Sequence, residues 1–284
     1  MKRILLLAAL VCCLATRTSA GNIIYTKNDS VRAESIIKQA LAQPKGTNTI
    51  LFIGKKLLGL PYVAKTLEKG KTEQLVINTT QLDCTTFVEN VLAMYLCVKN
   101  RKPKFNDFCN YIRTVRYDEG KVYYPARLHY FTTWIESNTA KGLVKEVQAP
   151  TPPFSSVQTV YVDFMTTHAS LYPLLDGNAA YMKAIAKAEK TASGKKFRYI
   201  PTSMLKGRQK ALREAVKDGD IIALVTKKKG LDISHVGYAC WHKDGLHLMN
   251  ASSLEKKVID DSQTLYRYMK RHPSNLGIRV IRVM

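Results

Sequence analysis

The strongest constraint on the fold of this 284-residue chain is a change of hydrophobic pattern at Asp218-Gly219-Asp220. Before this point, apolar residues recur at helical spacing over residues 31 to 42 and 51 to 59, and again along an amphipathic run that follows Asp83. After it, four segments alternate or run continuously apolar, which is typical of strands. These segments are 221–226, 234–241, 246–250 and 278–283. Helices that precede strands, rather than alternate with them, predict an α+β fold with an antiparallel sheet.

The middle of the chain has a weaker pattern. Residues 101 to 217 mix a strand-like run at 159–164 with helical runs at 180–192 and 205–216. The Pro-rich piece at 149–153 predicts a loop.

The first twenty residues have the three parts of a secretory signal peptide: Lys2 and Arg3, an apolar run from 4 to 14, and a small-residue end at Ala20. The apolar run is too short for a permanent membrane span, which needs about 20 apolar residues. We therefore expect cleavage after Ala20 and a periplasmic or extracellular protein. A lipid anchor on Cys13 is an alternative.

The chain is strongly basic. Its formal charge is +22, and loss of Lys2, Arg3 and Arg17 with the leader leaves +19 over 264 residues. Such a charge favours anionic partners, whether nucleic acid, acidic glycans or carboxylate-rich peptides. Export argues against nucleic acid, and the chain has neither zinc-finger spacing nor an aromatic RNA-binding signature.

Four cysteines remain in residues 21–284. They are Cys84, Cys97, Cys109 and Cys240. An exported chain with four cysteines can hold two disulfides, and Cys97 with Cys109 is one candidate pair. Their wide spacing leaves the disulfide state open, as the sequence also leaves the oligomeric state.

Cys84 is a candidate nucleophile because of its place at the start of a helix. Asp83 fits the N-cap position, which puts Cys84 in the first turn. Free backbone amides and the helix dipole favour a thiolate there, so we expect a lowered pKa for the Cys84 thiol. Val88 belongs to the apolar stripe one turn later, so Cys84 should face the sheet. The alternative is a Cys buried as a small hydrophobic residue.

His235 and Asn250 are the candidate base and orienting residue. They stand on the strands 234–241 and 246–250, which a turn signal at 243–245 separates. With a loop of even length, odd positions on the first strand oppose even positions on the second, so the two residues share a face. A Cys nucleophile needs such a base, and the base needs a polar group that fixes its tautomer. No short His/Glu ligand motif appears, so we expect no metal and no cofactor.

Five short motifs in this order resemble the NlpC-type papain-like cell-wall peptidase superfamily. They are Leu60-Pro61-Tyr62, Asp83-Cys84-Thr85-Thr86-Phe87-Val88, Asp218-Gly219-Asp220-Ile221-Ile222, Ser234-His235-Val236-Gly237 and Asn250-Ala251-Ser252-Ser253. The resemblance covers roughly residues 55 to 95 and 216 to 284, and implies a papain-like core with the nucleophile at a helix N-terminus packed on an antiparallel sheet. The third catalytic residue of that superfamily is often His, so Asn250 follows a known variant. Tyr62 matches a position whose hydroxyl contacts the catalytic centre.

Residues 96–215 form a long mixed insertion relative to a minimal member of that superfamily. Within it, Ala126-Arg127-Leu128-His129-Tyr130-Phe131-Thr132-Thr133-Trp134 resembles an exported N-acetylmuramoyl-L-alanine amidase-like branch. Four residues of this motif are candidates for substrate binding, namely Arg127, His129, Tyr130 and Trp134. Arg127 offers a bidentate cation for a carboxylate, and Tyr130 and Trp134 offer surfaces on which a sugar ring could pack. The alternative is that Arg127 is solvated on a loop and that Trp134 belongs to the hydrophobic core.

The resemblance implies one papain-like amidase domain over residues 21–284. It would cleave the amide between N-acetylmuramic acid and L-alanine in peptidoglycan or muropeptide fragments, through a thioester. One alternative is an endopeptidase of the same fold that cuts between D-glutamate and the diamino acid. Another is a non-catalytic wall-binding module. The sequence does not choose between intact wall and small fragments, nor does it assign a role to the insertion.

Overall fold

A computed structural model describes residues 23–68, 70–207 and 209–284. The predicted signal peptide, residues 1–20, lies outside these ranges. Across them, no helix combines the length and the apolar character that crossing a membrane requires.

Most helices of the described chain lie in its N-terminal part and its middle, and one lies between the last two strands. The helices are α1 (Lys27–Leu41), α2 (Thr49–Lys55), α3 (Cys84–Lys99), α4 (Phe105–Arg116), α5 (Phe131–Ala140), α6 (Phe164–Thr167), α7 (Ala179–Ala192), α8 (Lys210–Ala215) and α9 (Leu265–Arg271).

The strands form a small parallel pair and one large sheet. They are β1 (Ile23–Ile24), β2 (Leu75–Val76), β3 (Val144–Val147), β4 (Ser156–Thr159), β5 (Lys196–Pro201), β6 (Ile221–Thr226), β7 (Ile233–Trp241), β8 (Leu246–Ser252), β9 (Lys257–Asp260) and β10 (Asn275–Val283). The pair is β1 with β2. The large sheet has the order β4-β5-β10-β6-β7-β8-β9, with β3 on the second half of β10. All of its pairings are antiparallel, which confirms the predicted α+β class with an antiparallel sheet.

The sequence patterns located most of the elements that follow Asp218. The strand predicted at 221–226 has those bounds, and the other three predicted strands are longer by one, two and three residues respectively. In the middle, the prediction at 180–192 is confirmed as α7. The strand predicted at 159–164 is wrong, because β4 ends at Thr159 and a short helix begins at Phe164. Helices α4 and α5 were not predicted at all.

Helix α3 lies at the centre of the larger hydrophobic core. It packs on β7 and β8, and the Tyr238 hydroxyl donates to the Val88 carbonyl at 2.8 Å. Apolar side chains surround it on most sides, including Val88, Leu92 and Met94, which are fully buried. A helix that is apolar nearly all round is a core helix, so the position of its first residue is fixed by packing.

The segment 96–215 shares the main sheet with the C-terminal strands, since β3 and β5 both pair with β10. A fully buried Arg279 on β10 reinforces this junction. Its guanidinium contacts both oxygens of Glu146 on β3, at 2.6 and 3.0 Å, and the Thr132 hydroxyl at 2.7 Å. The guanidinium carbon also lies 3.9 Å from the centroid of the Phe197 ring.

A second buried ion pair joins α3 to α4. Glu89 Oε2 lies 2.7 Å from Arg116 Nε, and both side chains are at most 3% exposed. Arg116 Nη1 also donates to the Val76 carbonyl at 2.6 Å. Because each charge is satisfied only by the other and by backbone, neither can be removed without leaving a buried charge unpaired.

We therefore expect Glu89→Ala to lower the free energy of unfolding by about 3–5 kcal/mol, as measured by urea denaturation, because it leaves the buried Arg116 charge unpaired. The matched control is Glu214→Ala, which breaks the exposed pair Lys210–Glu214. That change should cost at most about 1 kcal/mol. Equal small losses for both variants would contradict this account of the α3–α4 contact.

Candidate active site

Cys84 is the first residue of α3, and Asp83 caps the helix as predicted. The Asp83 carboxylate accepts from the Thr86 amide at 2.8 Å, while the Thr86 hydroxyl accepts from the Asp83 amide at 2.9 Å. This reciprocal capping box satisfies the amide that would otherwise stay free at the helix start. It fixes the backbone on both sides of Cys84, whose side chain remains partly exposed.

His235 and Asn250 meet through a direct hydrogen bond, with His235 Nε2 and Asn250 Oδ1 2.8 Å apart. Tyr238 pairs with Met249, and the connection between β7 and β8 has four residues, so the predicted parity holds. The two residues therefore share a face diagonally across the two strands.

The hydrogen bonds of Asn250 indicate the tautomer of His235. Its Nδ2 donates to the Leu248 carbonyl at 3.1 Å, which directs Oδ1 at the imidazole. Since an amide oxygen only accepts, Nε2 must carry the proton. The neutral ring is then left with an unprotonated Nδ1, which is the atom that can act as a base.

Gly237 makes the diagonal contact possible. A Cβ at this position would lie 2.6 Å from the Met249 carbonyl oxygen and 2.9 Å from the Asn250 Cβ. Any larger residue would push β8 away, so the motif Ser234-His235-Val236-Gly237 contains a glycine for close approach rather than for a turn.

Cys84 and His235 line one cavity of about 170 Å³. The remaining wall comes from three parts of the chain: Thr85 on α3, the start of β7, and the segment 96–215. The residues involved are Thr85, Leu231, Asp232, Ile233, Ser234, Val236, Leu128, His129, Tyr130, Phe131, Met165 and Tyr172. The cavity thus joins the candidate nucleophile and base to the predicted insertion.

The Cys84 thiol is not the low-pKa group that the helix start predicted. Burial, followed by the charge of Asp83, raises the pKa of Cys84 to about 12, although hydrogen bonds from the Val236 backbone and from Thr85 act in the opposite direction. Desolvation of the thiolate outweighs the effect of the helix N-terminus. The resting residue is therefore a thiol.

His235 is correspondingly a neutral imidazole. Burial lowers the pKa of His235 from its ordinary 6.5, and the hydrogen bond that its ring donates to Asn250, together with the charge of Asp83, offsets part of that change. At neutral pH the site holds a thiol beside an unprotonated base, with no formal charge on either.

Tyr62 lies near this pair. Burial raises the pKa of the Tyr62 phenol to about 12, and the next contributions come from Cys84 and Asp83. The Tyr62 backbone is held by a bridge to Leu82 and by a hydrogen bond from its amide to the Lys256 carbonyl. The motif residue therefore lies on the Cys84 side of the site.

Arg127 is committed to internal ion pairs. Its guanidinium lies 2.6 Å from Glu68 and 3.5 Å from Glu73, and its side chain is 7% exposed. Two carboxylates of the chain thus occupy the cation that was predicted to bind a substrate carboxylate, and Arg127 lines a neighbouring cavity instead.

The aromatic residues of the same motif have different positions. His129 and Tyr130 line the cavity at Cys84. The His129 ring contacts the Tyr124 carbonyl at 2.9 Å, and burial together with Arg127 lowers the pKa of His129 to about 3. The Tyr130 hydroxyl donates to Glu189 at 2.7 Å, so this hydroxyl is already engaged within the protein.

Trp134 corrects the sequence prediction of a sugar-binding surface. It is fully buried, and its ring stacks on Phe131 with centroids 4.8 Å apart. Helix α5 turns it away from the cavity and into the core, so it has no face on which a sugar could pack.

Asp232 is a site residue that the sequence analysis missed. Its buried carboxylate accepts from the Thr132 amide at 2.6 Å, close to the N-terminus of α5, where no local side chain provides a cap. An acid at a helix start is favourable, and here it ties the insertion to the beginning of β7. Only the tertiary structure reveals this, because the two residues are 100 positions apart.

All four cysteines of the described chain are free. The candidate pair Cys97 and Cys109 therefore stays reduced, and both side chains are buried in the main core. Among the described residues, one group of three His, Cys and acidic side chains comes close enough to hold a metal ion: Cys240, His242 and Asp260. None of them lines the cavity at Cys84.

Comparison with protein families gives a match over most of the chain. The model of the AmiA-like family, described as N-acetylmuramoyl-L-alanine amidase-like, matches residues 52–278. Curated proteins give no match.

Solved structures give close matches in fold. A Bacteroides fragilis protein with the provisional name xylanase is 41% identical, with a TM-score of 0.75 over 81% of this chain and 98% of that one. A Bacteroides uniformis protein named N-acetylmuramoyl-L-alanine amidase is 33% identical, with a TM-score of 0.75 over 89% and 99% of the two chains. A Legionella pneumophila protein at 22% identity and a TM-score of 0.67, over 92% and 97%, shares the fold.

The contact between His235 and Asn250 gives a prediction that needs no assay of activity. We expect His235 to titrate below its ordinary 6.5, and Asn250→Ala to lower its pKa further, because that change removes a hydrogen bond that favours the charged ring. Histidine ring signals followed by NMR against pH will measure both values. The control is Asn110→Ala on the exposed face of α4, which should leave His235 unchanged. A midpoint above 6.5, or no change in the Asn250 variant, would contradict the described geometry.

Proposed function

Because the chain belongs to the AmiA-like family of N-acetylmuramoyl-L-alanine amidase-like proteins, we propose that it is a cysteine amidase of peptidoglycan, with Cys84 as nucleophile, His235 as base and Asn250 as the residue that orients the base. One observation carries the cysteine mechanism. A neutral His235, held through Nε2 by Asn250, shares a cavity with a cysteine at the start of a buried helix. We also propose a papain-like core, with residues 21–284 as one domain.

The first step is attack on an amide carbonyl. His235 Nδ1 takes the proton of the Cys84 thiol as the sulfur bonds to the carbonyl carbon, so a free thiolate need not exist beforehand. This order suits the raised pKa of Cys84 and the lowered pKa of His235. Among the first-turn amides, Thr86 donates to Asp83 and Phe87 donates to the Asp83 carbonyl. The Thr85 backbone is hydrogen-bonded to the Cys84 sulfur. The Cys84 amide is thus one candidate donor to the oxyanion.

Collapse of the tetrahedral intermediate breaks the C–N bond. The imidazolium of His235 gives its Nδ1 proton to the leaving nitrogen, the amine departs and a thioester remains on Cys84. Water then attacks the thioester carbonyl while His235 removes a proton, and the thiol is restored. Asn250 accepts from Nε2 throughout, which keeps the ring in one orientation without adding a charge.

The chemistry of the cavity argues against glycoside hydrolysis. Glycosidases of the common type place two carboxyl groups about 5–9.5 Å apart across the bond. Asp232 is the single carboxylate among the described residues that line this cavity, and it is bonded to the Thr132 amide. The provisional name of the Bacteroides fragilis protein therefore does not fit the side chains that are present here.

We propose that the bond cleaved is the amide between N-acetylmuramic acid and L-alanine. The family description and the name of the Bacteroides uniformis protein support this choice. A D-glutamyl-diamino acid endopeptidase would use the same catalytic steps at another amide. We further propose export, in agreement with the leader pattern of residues 1–20 and with a substrate that lies outside the cytoplasm.

A non-catalytic wall-binding module is the remaining alternative. Alkylation of the free protein does not separate it from an enzyme, because a thiol with a pKa of about 12 reacts slowly at neutral pH in either case. Turnover is the test that separates them.

We expect Cys84→Ala to lower the turnover of purified muropeptides by at least about 10³-fold, since removal of a catalytic nucleophile costs this much or more in hydrolases of this kind. The control is Cys97→Ala, which removes a fully buried thiol from the same helix and should keep most of the activity. Near-ultraviolet circular dichroism will check that both variants fold. Retained activity in the Cys84 variant would refute the mechanism.

Mass spectrometry of the products will identify the bond. An amidase releases an intact peptide that begins with L-alanine and leaves a muramic acid with a free carboxylate. Peptides truncated after D-glutamate would instead establish the endopeptidase and refute our choice of bond.

The narrow cavity predicts a preference for small substrates. Its 170 Å³ is below the roughly 300–1,000 Å³ of a typical ligand pocket, and the segment 96–215 provides one wall through residues such as Tyr130, Met165 and Tyr172. We therefore expect at least about tenfold higher kcat/KM for soluble muropeptides than for intact sacculi at equal stem concentration. Equal or faster release of peptide from sacculi would contradict the role assigned to this wall.

A further inference from the structure

Cys240, His242 and Asp260 form a cluster that the proposed amidase chemistry does not use. Cys240 and His242 lie at the end of β7 and just beyond it, while Asp260 ends β9. Their ligand atoms all lie within 4.8 Å of one another. Cys240 follows His235 by five positions, so it lies roughly 17 Å from His235 along the strand, and the two side chains point to opposite faces of the sheet.

We propose that Cys240, His242 and Asp260 bind a zinc ion that joins the end of the β7–β8 hairpin to the edge strand β9. The ligand set is one thiolate, one imidazole and one carboxylate, which are the donors that Zn²⁺ takes in proteins. Three protein ligands leave a fourth position for water.

The spacing of the donor atoms fits a tetrahedral ion. With zinc bonds of about 2.0 Å to N and O and about 2.3 Å to S, the edges of a tetrahedron are roughly 3.3 Å between N and O and roughly 3.5 Å between O and S. His242 Nε2 lies 3.1 and 3.2 Å from the two oxygens of Asp260, and Cys240 Sγ lies 3.6 Å from Oδ2. An ion can therefore enter with small side-chain shifts.

The cluster also contains an unsatisfied acceptor. Asp260 Oδ1 is buried and accepts no hydrogen bond, although His242 Nε2 is 3.1 Å away. A buried carboxylate oxygen without a partner is unfavourable, and a bound cation would satisfy it. Binding would release the Cys240 proton to solvent, so the two anionic ligands would balance the charge of the ion.

His247 holds His242 in the orientation that the ion requires. The two rings stack with centroids 4.0 Å apart. His247 itself is engaged at both nitrogens, with Asp261 and Asp244, and so is a positioning residue rather than a ligand. Burial, followed by the charges of Asp260 and Asp218, raises the pKa of the Cys240 thiol to about 12, and the nearby Lys55 acts in the opposite direction. Lys55 is exposed and can turn away from an incoming cation.

Equilibrium dialysis of tag-free protein against Zn²⁺, with metal analysis, tests the site. Cys84→Ala serves as the starting protein, so that the candidate catalytic pair cannot bind the metal. We expect one zinc per chain, a higher melting temperature with Zn²⁺, and a thiolate-to-metal absorption band when Co²⁺ replaces it. Cys240→Ser and Asp260→Asn, added to this background, should each weaken binding by at least about 100-fold.

Cys97→Ala, added to the same background, is the matched control and should keep full binding, since Cys97 is buried in another part of the core. His242→Gln gives a ligand variant at a partly exposed position, which keeps the test valid if a buried substitution impairs folding. Absence of saturable binding in Cys84→Ala, or binding unchanged by all three ligand substitutions, would overturn the proposal. The amidase assay on wild-type protein is independent of either outcome.

Discussion

The packing of α3 on β7 and β8 is the contact on which the rest of the structure depends. The helix is buried along most of its length, and the Tyr238 hydroxyl is hydrogen-bonded to its backbone at Val88. Burial on this scale fixes the axis and the rotation of the helix. Because Cys84 begins the helix and His235 belongs to β7, this one interface sets their relative position.

The same burial sets the electrostatics of the candidate site. An exposed helix start would favour a thiolate, but at Cys84 the loss of solvent raises the pKa to about 12, and at His235 it lowers the pKa. Both changes favour the neutral pair. In the mechanism that we propose, reactivity depends on moving a proton between these two groups, and the ion pair is formed only when a substrate carbonyl is there to receive the sulfur.

Local patterns predicted those parts of the site whose chemistry is local. The Asp83 cap and the parity of His235 and Asn250 follow from a few neighbouring residues, and both are found in the structure. The ion pairs of Arg127 depend on Glu68 and Glu73, and the burial of Trp134 depends on the rotation of α5. No local sequence pattern contains this information. The pKa of Cys84 was mispredicted for the same reason, because the sequence gives the helix dipole but not the depth of burial that competes with it.

The two cysteine–histidine pairs differ in the polar residue beside them. Asn250 lies beside His235 in the pair with Cys84, whereas Asp260 lies beside Cys240 and His242. Asn250 offers a neutral oxygen that is already engaged with His235 Nε2, so it does not give Cys84 and His235 an anionic third ligand for a divalent cation. Cys240 and His242 have the carboxylate of Asp260 beside them, and the alternation of β7 directs Cys240 to the opposite face from His235. A metal bound at the proposed zinc site would therefore leave Cys84 free, and a carboxylate in place of Asn250 would remove that distinction.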